Sequence, residues 1–178
     1  MSAVTVLRSA RACSALVVGP GDPDRFHWRG GANVCDTHSL VARGPTGRRW
    51  LRSSRQALAD AGLPASAITA IRAHGTATPS NDEAEAAGML RTFESMPPIC
   101  ALKPFIGHTL GACGLTELVL FYRAIEHGFL IATPGIGADR TALGVVLNQA
   151  ERSMTKGHFM LNSFGFGGNN TSLVISRD

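Results

Sequence analysis

Residues 67–90 read AITAIRAHGTATPSNDEAEAAGML, and their pattern changes partway along. Ala67–His74 is a short run with β-branched residues that predicts a strand. It leads directly into a loop of small and hydroxyl-bearing residues, HGTATPSND. Ser80 with Glu83 three residues later forms a capping box and predicts a helix from about Asn81 to Phe93. In that setting Asp82 and Glu85 serve capping and structure rather than chemistry.

The flanking segments continue the alternation. Upstream, a helix is expected from about Thr46 to Ala61, with Trp50, Leu51, Ser54, Leu58 and Ala61 on one face and Gly62 and Pro64 as the stop. Residues 19–49, rich in Gly, Pro, Asp and Arg, read as an irregular excursion. Residues 3–18 read as one or two strands. Their apolar run from Ala12 to Val18 is very short for a signal peptide and ends in Gly-Pro-Gly, so a strand closed by a turn is the better reading. Downstream, Ile99–Leu102 predicts a brief strand. Thr109–His127, nearly apolar all round in its second half, predicts a buried helix ended by Gly128. The tail HFMLNSFGFGGNNTSLVIS predicts a strand, a Gly-rich bend and a second strand. Together these elements describe an α/β chain with a mixed sheet.

The 178 residues suit one domain able to bury a core without disulfides or metal. The formal charge of +4 is carried by scattered basic residues, all arginine except Lys103 and Lys156. Scatter argues against a nucleic-acid-binding stripe and weakly for an acidic partner or substrate; a plain compositional preference for arginine explains it equally well. Cys13, Cys35, Cys100 and Cys113 lack the spacing of a zinc site and read as free thiols in a reducing cytoplasm. No run approaches the ~18 apolar residues of a membrane span.

A second stretch carries chemistry. Residues 102–114, LKPFIGHTLGACG, place Lys103 five residues before His108 and follow the histidine with Gly, Ala and Cys. His74 follows a predicted strand and His108 precedes a predicted helix, the places where α/β folds position sites. Two neutral imidazoles can present Nε2–H groups to one oxygen if their other nitrogens are held in the matching tautomer. Glu117, on the apolar helix after His108, needs a partner if buried, and Lys103 is the natural one.

Three motifs at 73–82 (AHGTATPSND), 102–114 (LKPFIGHTLGACG) and 162–170 (NSFGFGGNN) occur in the order and spacing found in β-ketoacyl–acyl carrier protein synthases. The chain resembles the C-terminal half of those enzymes, closely over residues 46–178 and loosely over residues 3–45. The resemblance implies a thiolase-like C-terminal half-domain, with a mixed five-stranded sheet flanked by helices, occupying residues 1–178. It implies decarboxylative Claisen condensation of acyl and malonyl thioesters in fatty acid or polyketide synthesis. It assigns His74 and His108 as donors to the malonyl thioester and Lys103 and Glu117 as their electrostatic support. Thr76 and Thr78 would bind the pantetheine arm, with turn stabilisation as the plain alternative. Phe166 would gate the site, flanked by Gly167 and Gly168; Asn169 stands where the family usually has Thr.

The family's nucleophilic cysteine belongs to the preceding half, which this sequence lacks. Cys13 sits in a strand-like segment too close to His74, and Cys113 reads as a small apolar packing residue. The expectation is therefore no nucleophile in this chain, no metal and no cofactor beyond phosphopantetheine-borne substrates on acyl carrier protein or coenzyme A. Expected partners are acyl carrier protein and a nucleophile-bearing ketosynthase half or subunit, in a homo- or hetero-oligomer, with no nucleic acid. Three alternatives stay open: a piece of a longer ketosynthase, a standalone half that pairs with another chain, or a catalytically silent carrier-protein-binding scaffold. A malonyl-thioester decarboxylase is a variant, since decarboxylation needs the donors more than the thiol.

Overall fold

The computed structural model describes residues 9–20, 25–35, 47–133, 143–165 and 168–178. Its centre is a five-stranded mixed sheet in the order β1-β7-β6-β2-β3. These strands are β1 (His27–Cys35), β2 (Ile68–Arg72), β3 (Ile99–Cys100), β6 (Gly157–Phe164) and β7 (Asn169–Arg177). Strand β2 runs parallel to β3 on one side and to the central β6 on the other, whereas β6–β7 and β7–β1 are antiparallel. A second, two-stranded sheet pairs β4 (Phe129–Leu130) with β5 (Arg152–Ser153); nothing in the sequence announced it.

Both sheet faces are covered, so alternate strand residues enter different cores. On one face Ile71, Met160 and Val174 pack with Trp50, Leu58, Met89 and Phe93. These last four come from α1 (Arg48–Ala61), α2 (Pro79–Thr92) and the α2 C-cap. On the other face Ala70, Phe159, Leu161 and Ile175 pack with Phe121 and Ile125 of α4 (Cys113–Glu126). The helix–sheet–helix sandwich follows from strands that are apolar on both sides.

Helix α1 buries the face predicted for it and stops at Gly62, whose φ of 65° is the left-handed cap glycine favours. Helix α2 begins two residues earlier than expected: Thr78 is its N-cap and Pro79 occupies the first turn, so Ser80 is not the cap. Proline's fixed φ suits a first helical position and outweighs the capping-box pattern. The two helices touch where Gly88 faces Trp50; a Cβ at Gly88 would lie 2.4 Å from the indole.

Three expectations are corrected. The excursion at 19–49 contains β1, paired with β7 from His27↔Ser176 to Cys35↔Asn169. Its glycines permit close approach rather than turning the chain, since a Cβ at Gly30 would lie 2.5 Å from the Ala61 backbone nitrogen. Of residues 3–18, expected to be strands, the described residues 9–18 form only an isolated bridge between Ser9 and His108, and Val17 and Val18 are exposed. The helix predicted over Thr109–His127 starts with a 3-10 turn at Leu110–Ala112. Its α-helical part buries one stripe, Cys113, Glu117, Phe121, Ala124 and Ile125, while Leu120 is exposed.

Candidate active site

The parallel strands β2, β3 and β6 end at the same edge of the sheet, and the polar cluster gathers there. His74 lies two residues past β2. Lys103 opens α3 (Lys103–Ile106) just after β3, and Phe164 ends β6. His108 lies between α3 and α4, and Glu117 is on α4. His74, His108, Lys103 and Glu117 are all buried.

Each imidazole is oriented through Nδ1. The Phe164 backbone N–H donates to His74 Nδ1 at 3.3 Å, and Lys103 Nζ lies 3.2 Å from the same nitrogen. The Leu110 backbone N–H donates to His108 Nδ1 at 3.0 Å. A nitrogen that accepts such a bond carries no proton, so in the neutral rings both protons sit on Nε2. The rings are 5.6 Å apart between centroids at an interplanar angle of 83°.

Behind the histidines lies a charge cluster. Lys103 Nζ donates to Glu117 Oε1 at 2.7 Å and to the His74 carbonyl at 2.5 Å. With His74 Nδ1, these contacts account for all three ammonium hydrogens. Arg72 Nη1 donates to Glu117 Oε2 at 3.2 Å, so one buried carboxylate bridges two buried cations. Burial holds the Lys103 ammonium below the ordinary lysine range; Glu117 opposes that shift and Arg72 adds to it. Glu85, also buried, accepts the backbone N–H of His74 at 2.8 Å and of Gly75 at 3.0 Å. Burial pushes its carboxyl above the usual range, against the pull of those two N–H bonds.

Thr76 and Thr78 share a hydrogen bond of 2.8 Å between their hydroxyls in the half-buried loop after His74. Gly168 is buried with φ 82° in the β6–β7 turn, a conformation glycine adopts without strain. The expected gate residues Phe166 and Gly167 lie outside the described residues. Burial pushes the Cys100 thiol up to about 12 and raises that of Cys113, so both are held protonated at neutral pH. Cys13 and Cys35 are exposed.

Arg72 was not anticipated. The sequence carried one sign of it: a charged residue inside a short predicted strand rich in Ala and Ile, which needs a partner if buried. Glu85 had been read as structural, and it is the acceptor that holds the backbone of the His74 loop.

The family model for the C-terminal domain of β-ketoacyl synthases matches residues 28–136. The 3-oxoacyl-[acyl-carrier-protein] synthase 1 of Escherichia coli strain K12 is 34% identical over 148 residues, which cover 80% of this chain and 34% of that protein. A β-ketoacyl synthase from Burkholderia phymatum STM815 superposes with a TM-score of 0.78 at 33% identity, over 85% of this chain and 37% of its own. A ketosynthase solved in complex with its chain length factor, from Xenorhabdus doucetiae, gives a TM-score of 0.78 at 32% identity, over 88% of this chain and 40% of its own. The chain thus spans about a third of the length of the curated relatives it matches.

Proposed function

Because this chain belongs to the family of β-ketoacyl synthase C-terminal domains, we propose that it supplies the enolate-stabilising half of a condensing enzyme. The reaction is decarboxylative Claisen condensation of acyl and malonyl thioesters in fatty acid or polyketide synthesis. The observation that carries this reading is the matched tautomer of His74 and His108, each with Nδ1 occupied by a backbone N–H. Donors fixed before the reaction stabilise developing charge without reorganisation, and losing one commonly costs roughly a hundred- to a thousandfold in rate.

In this reading the malonyl thioester oxygen lies against both Nε2–H groups. The bond to the malonyl carboxylate breaks, carbon dioxide leaves and the electron pair moves into the thioester as an enolate. The enolate carbon then attacks the carbonyl of an acyl group carried on a cysteine of the partner; a carbon–carbon bond forms and the cysteine leaves as thiolate. Lys103 holds His74 in the donating tautomer, and Glu117 holds Lys103. Thr76 and Thr78 contact the pantetheine arm, and Phe166 with Gly167 and Gly168 controls entry. The substrates arrive on acyl carrier protein or coenzyme A, so no further cofactor is required.

The partners in this reading are an acyl carrier protein and a nucleophile-bearing subunit, in a cytoplasmic setting. It is supported by the E. coli relative, named for acyl carrier protein, and by the X. doucetiae ketosynthase, solved with a second chain. Among the described residues no helix is long and apolar enough to cross a membrane.

The alternative reading is a catalytically silent carrier-protein-binding scaffold; the buried, protonated Cys100 and Cys113 supply no nucleophile, which both readings allow. Malonyl-thioester decarboxylation and acyl elongation, assayed with a nucleophile-bearing partner, separate the two. His108→Ala should lower both by at least a hundredfold. Unchanged rates would sink the enzymatic reading and leave the scaffold.

A further inference from the structure

Among the described residues Arg72 is the largest fully buried side chain, and it ends β2 two residues before His74. Its guanidinium reaches in two directions. Nη1 donates to Glu117 Oε2 at 3.2 Å and to the backbone carbonyl of Asn162, and Nη2 donates to Ser163 Oγ at 3.1 Å. Asn162 and Ser163 immediately precede Phe164, whose N–H donates to His74 Nδ1. The carboxylate that Arg72 holds by one oxygen holds Lys103 by the other, and Lys103 is the second group on His74 Nδ1.

We propose that Arg72 is a positioning residue for the site, controlling both groups that fix the His74 tautomer: Lys103 through Glu117, and the Phe164 N–H through the end of β6. The proposal rests on the enolate-stabilising reading given above. The planar guanidinium fork suits this task because it binds a carboxylate and a strand end at fixed angles, which a flexible ammonium does not. A buried cation is costly unless paired, so its presence in a buried strand beside Ile and Ala calls for a compensating role.

The same geometry places a second positive charge across Glu117 from Lys103. Facing Lys103 are Glu117 and the Cys113 thiol from α4, Arg72 from β2, His74 from the loop after β2, and Glu85 from α2. Removing the Arg72 charge should therefore let Lys103 hold its proton to higher pH. A side chain that merely fills space would not move that titration.

The chain contains only two lysines, Lys103 and the exposed Lys156, so 13C-labelled lysine gives two resolvable titrations by NMR. In Arg72→Gln the Lys103 midpoint should rise by roughly two to three pH units, as expected for a charge a few ångströms away at an effective dielectric of about 20. Decarboxylation kcat, measured with the nucleophile-bearing partner, should fall about tenfold with KM unchanged. Arg72→Lys keeps the charge and should leave the Lys103 midpoint at the parent value, its added third lysine signal being assigned by comparison with the parent spectrum. An unmoved midpoint in Arg72→Gln overturns the proposal. If that variant does not fold, an Arg72→Lys midpoint displaced by a unit or more overturns it instead. His108→Ala serves as the control: if it left decarboxylation intact, the functional reading would fail, while the titration would still report on Arg72.

Discussion

Leu110 donates its backbone N–H to His108 Nδ1 at 3.0 Å from a left-handed conformation, φ 52°, that leucine seldom adopts. Such a backbone costs of order 1–3 kcal/mol and persists where surrounding structure enforces it. Its side chain is exposed, so packing does not explain the strain. Holding His108 in the Nε2–H tautomer does.

Substitution at 110 should therefore separate backbone from side chain. Leu110→Gly keeps the N–H and relieves the strain, so elongation should stay within a few-fold of the parent. Leu110→Pro removes the N–H and cannot reach a positive φ. Its elongation rate should fall by at least tenfold, measured with the nucleophile-bearing partner. Equal rates in the two variants would show that the Leu110 N–H does not set the tautomer.

Glu117 satisfies two cations, whereas Lys103 faces one ionised partner in the pair. Removing the carboxylate that two buried cations share leaves uncompensated charge, at a cost of about 3–5 kcal/mol. Glu117→Gln should lose about that much stability in denaturant unfolding. Lys103→Gln should lose clearly less, because Glu117 keeps its bond to Arg72. The reverse order would mean that Lys103, and not the carboxylate, organises the cluster.

The thiolase-like half-fold and its mixed five-stranded sheet were legible because three local motifs mark the strand ends, and the hairpin and strand–loop–helix patterns are short-range. The positions of His74, His108, Lys103 and Glu117 were legible for the same reason, their motif spacing being local. Arg72 was not, because its partner Glu117 lies 45 residues away and only the folded sheet joins them. Strand β1 was hidden by its own glycines. Their composition argues for a loop, while the ladder that makes them a strand is supplied by β7 from the other end of the chain. Helix α4 was over-read because hydropathy alone does not tell an apolar face that packs from one that stays exposed.

Thiol chemistry gives a separate check on the source of the nucleophile. Cys13 and Cys35 are exposed, whereas Cys100 and Cys113 are buried, and the Cys100 thiol is pushed up to about 12. Only the thiolate reacts. A thiol reagent at pH 7.5 should modify two cysteines quickly, and the other two only on unfolding. Fast modification at Cys113, identified by peptide mass, would reopen a nucleophile within this chain.

Glu85 ties the His74 loop to α2, and its raised carboxyl gives stability a definite pH dependence. The folded protein binds this proton more tightly than the unfolded chain does. Its contribution is therefore fully present below the ordinary carboxylate value and is lost as pH rises through the raised folded value. Glu85→Gln removes that titration, so the fall in stability just above the ordinary carboxylate range should flatten in the variant. The amide offers one acceptor oxygen to two backbone N–H groups, and stranding one of them should cost about 1–3 kcal/mol in the pH window where the parent carboxylate is ionised. Denaturant midpoints measured from pH 4 to pH 8 for parent and variant test both effects, and parallel curves across that range would rule out Glu85 as the titrating group.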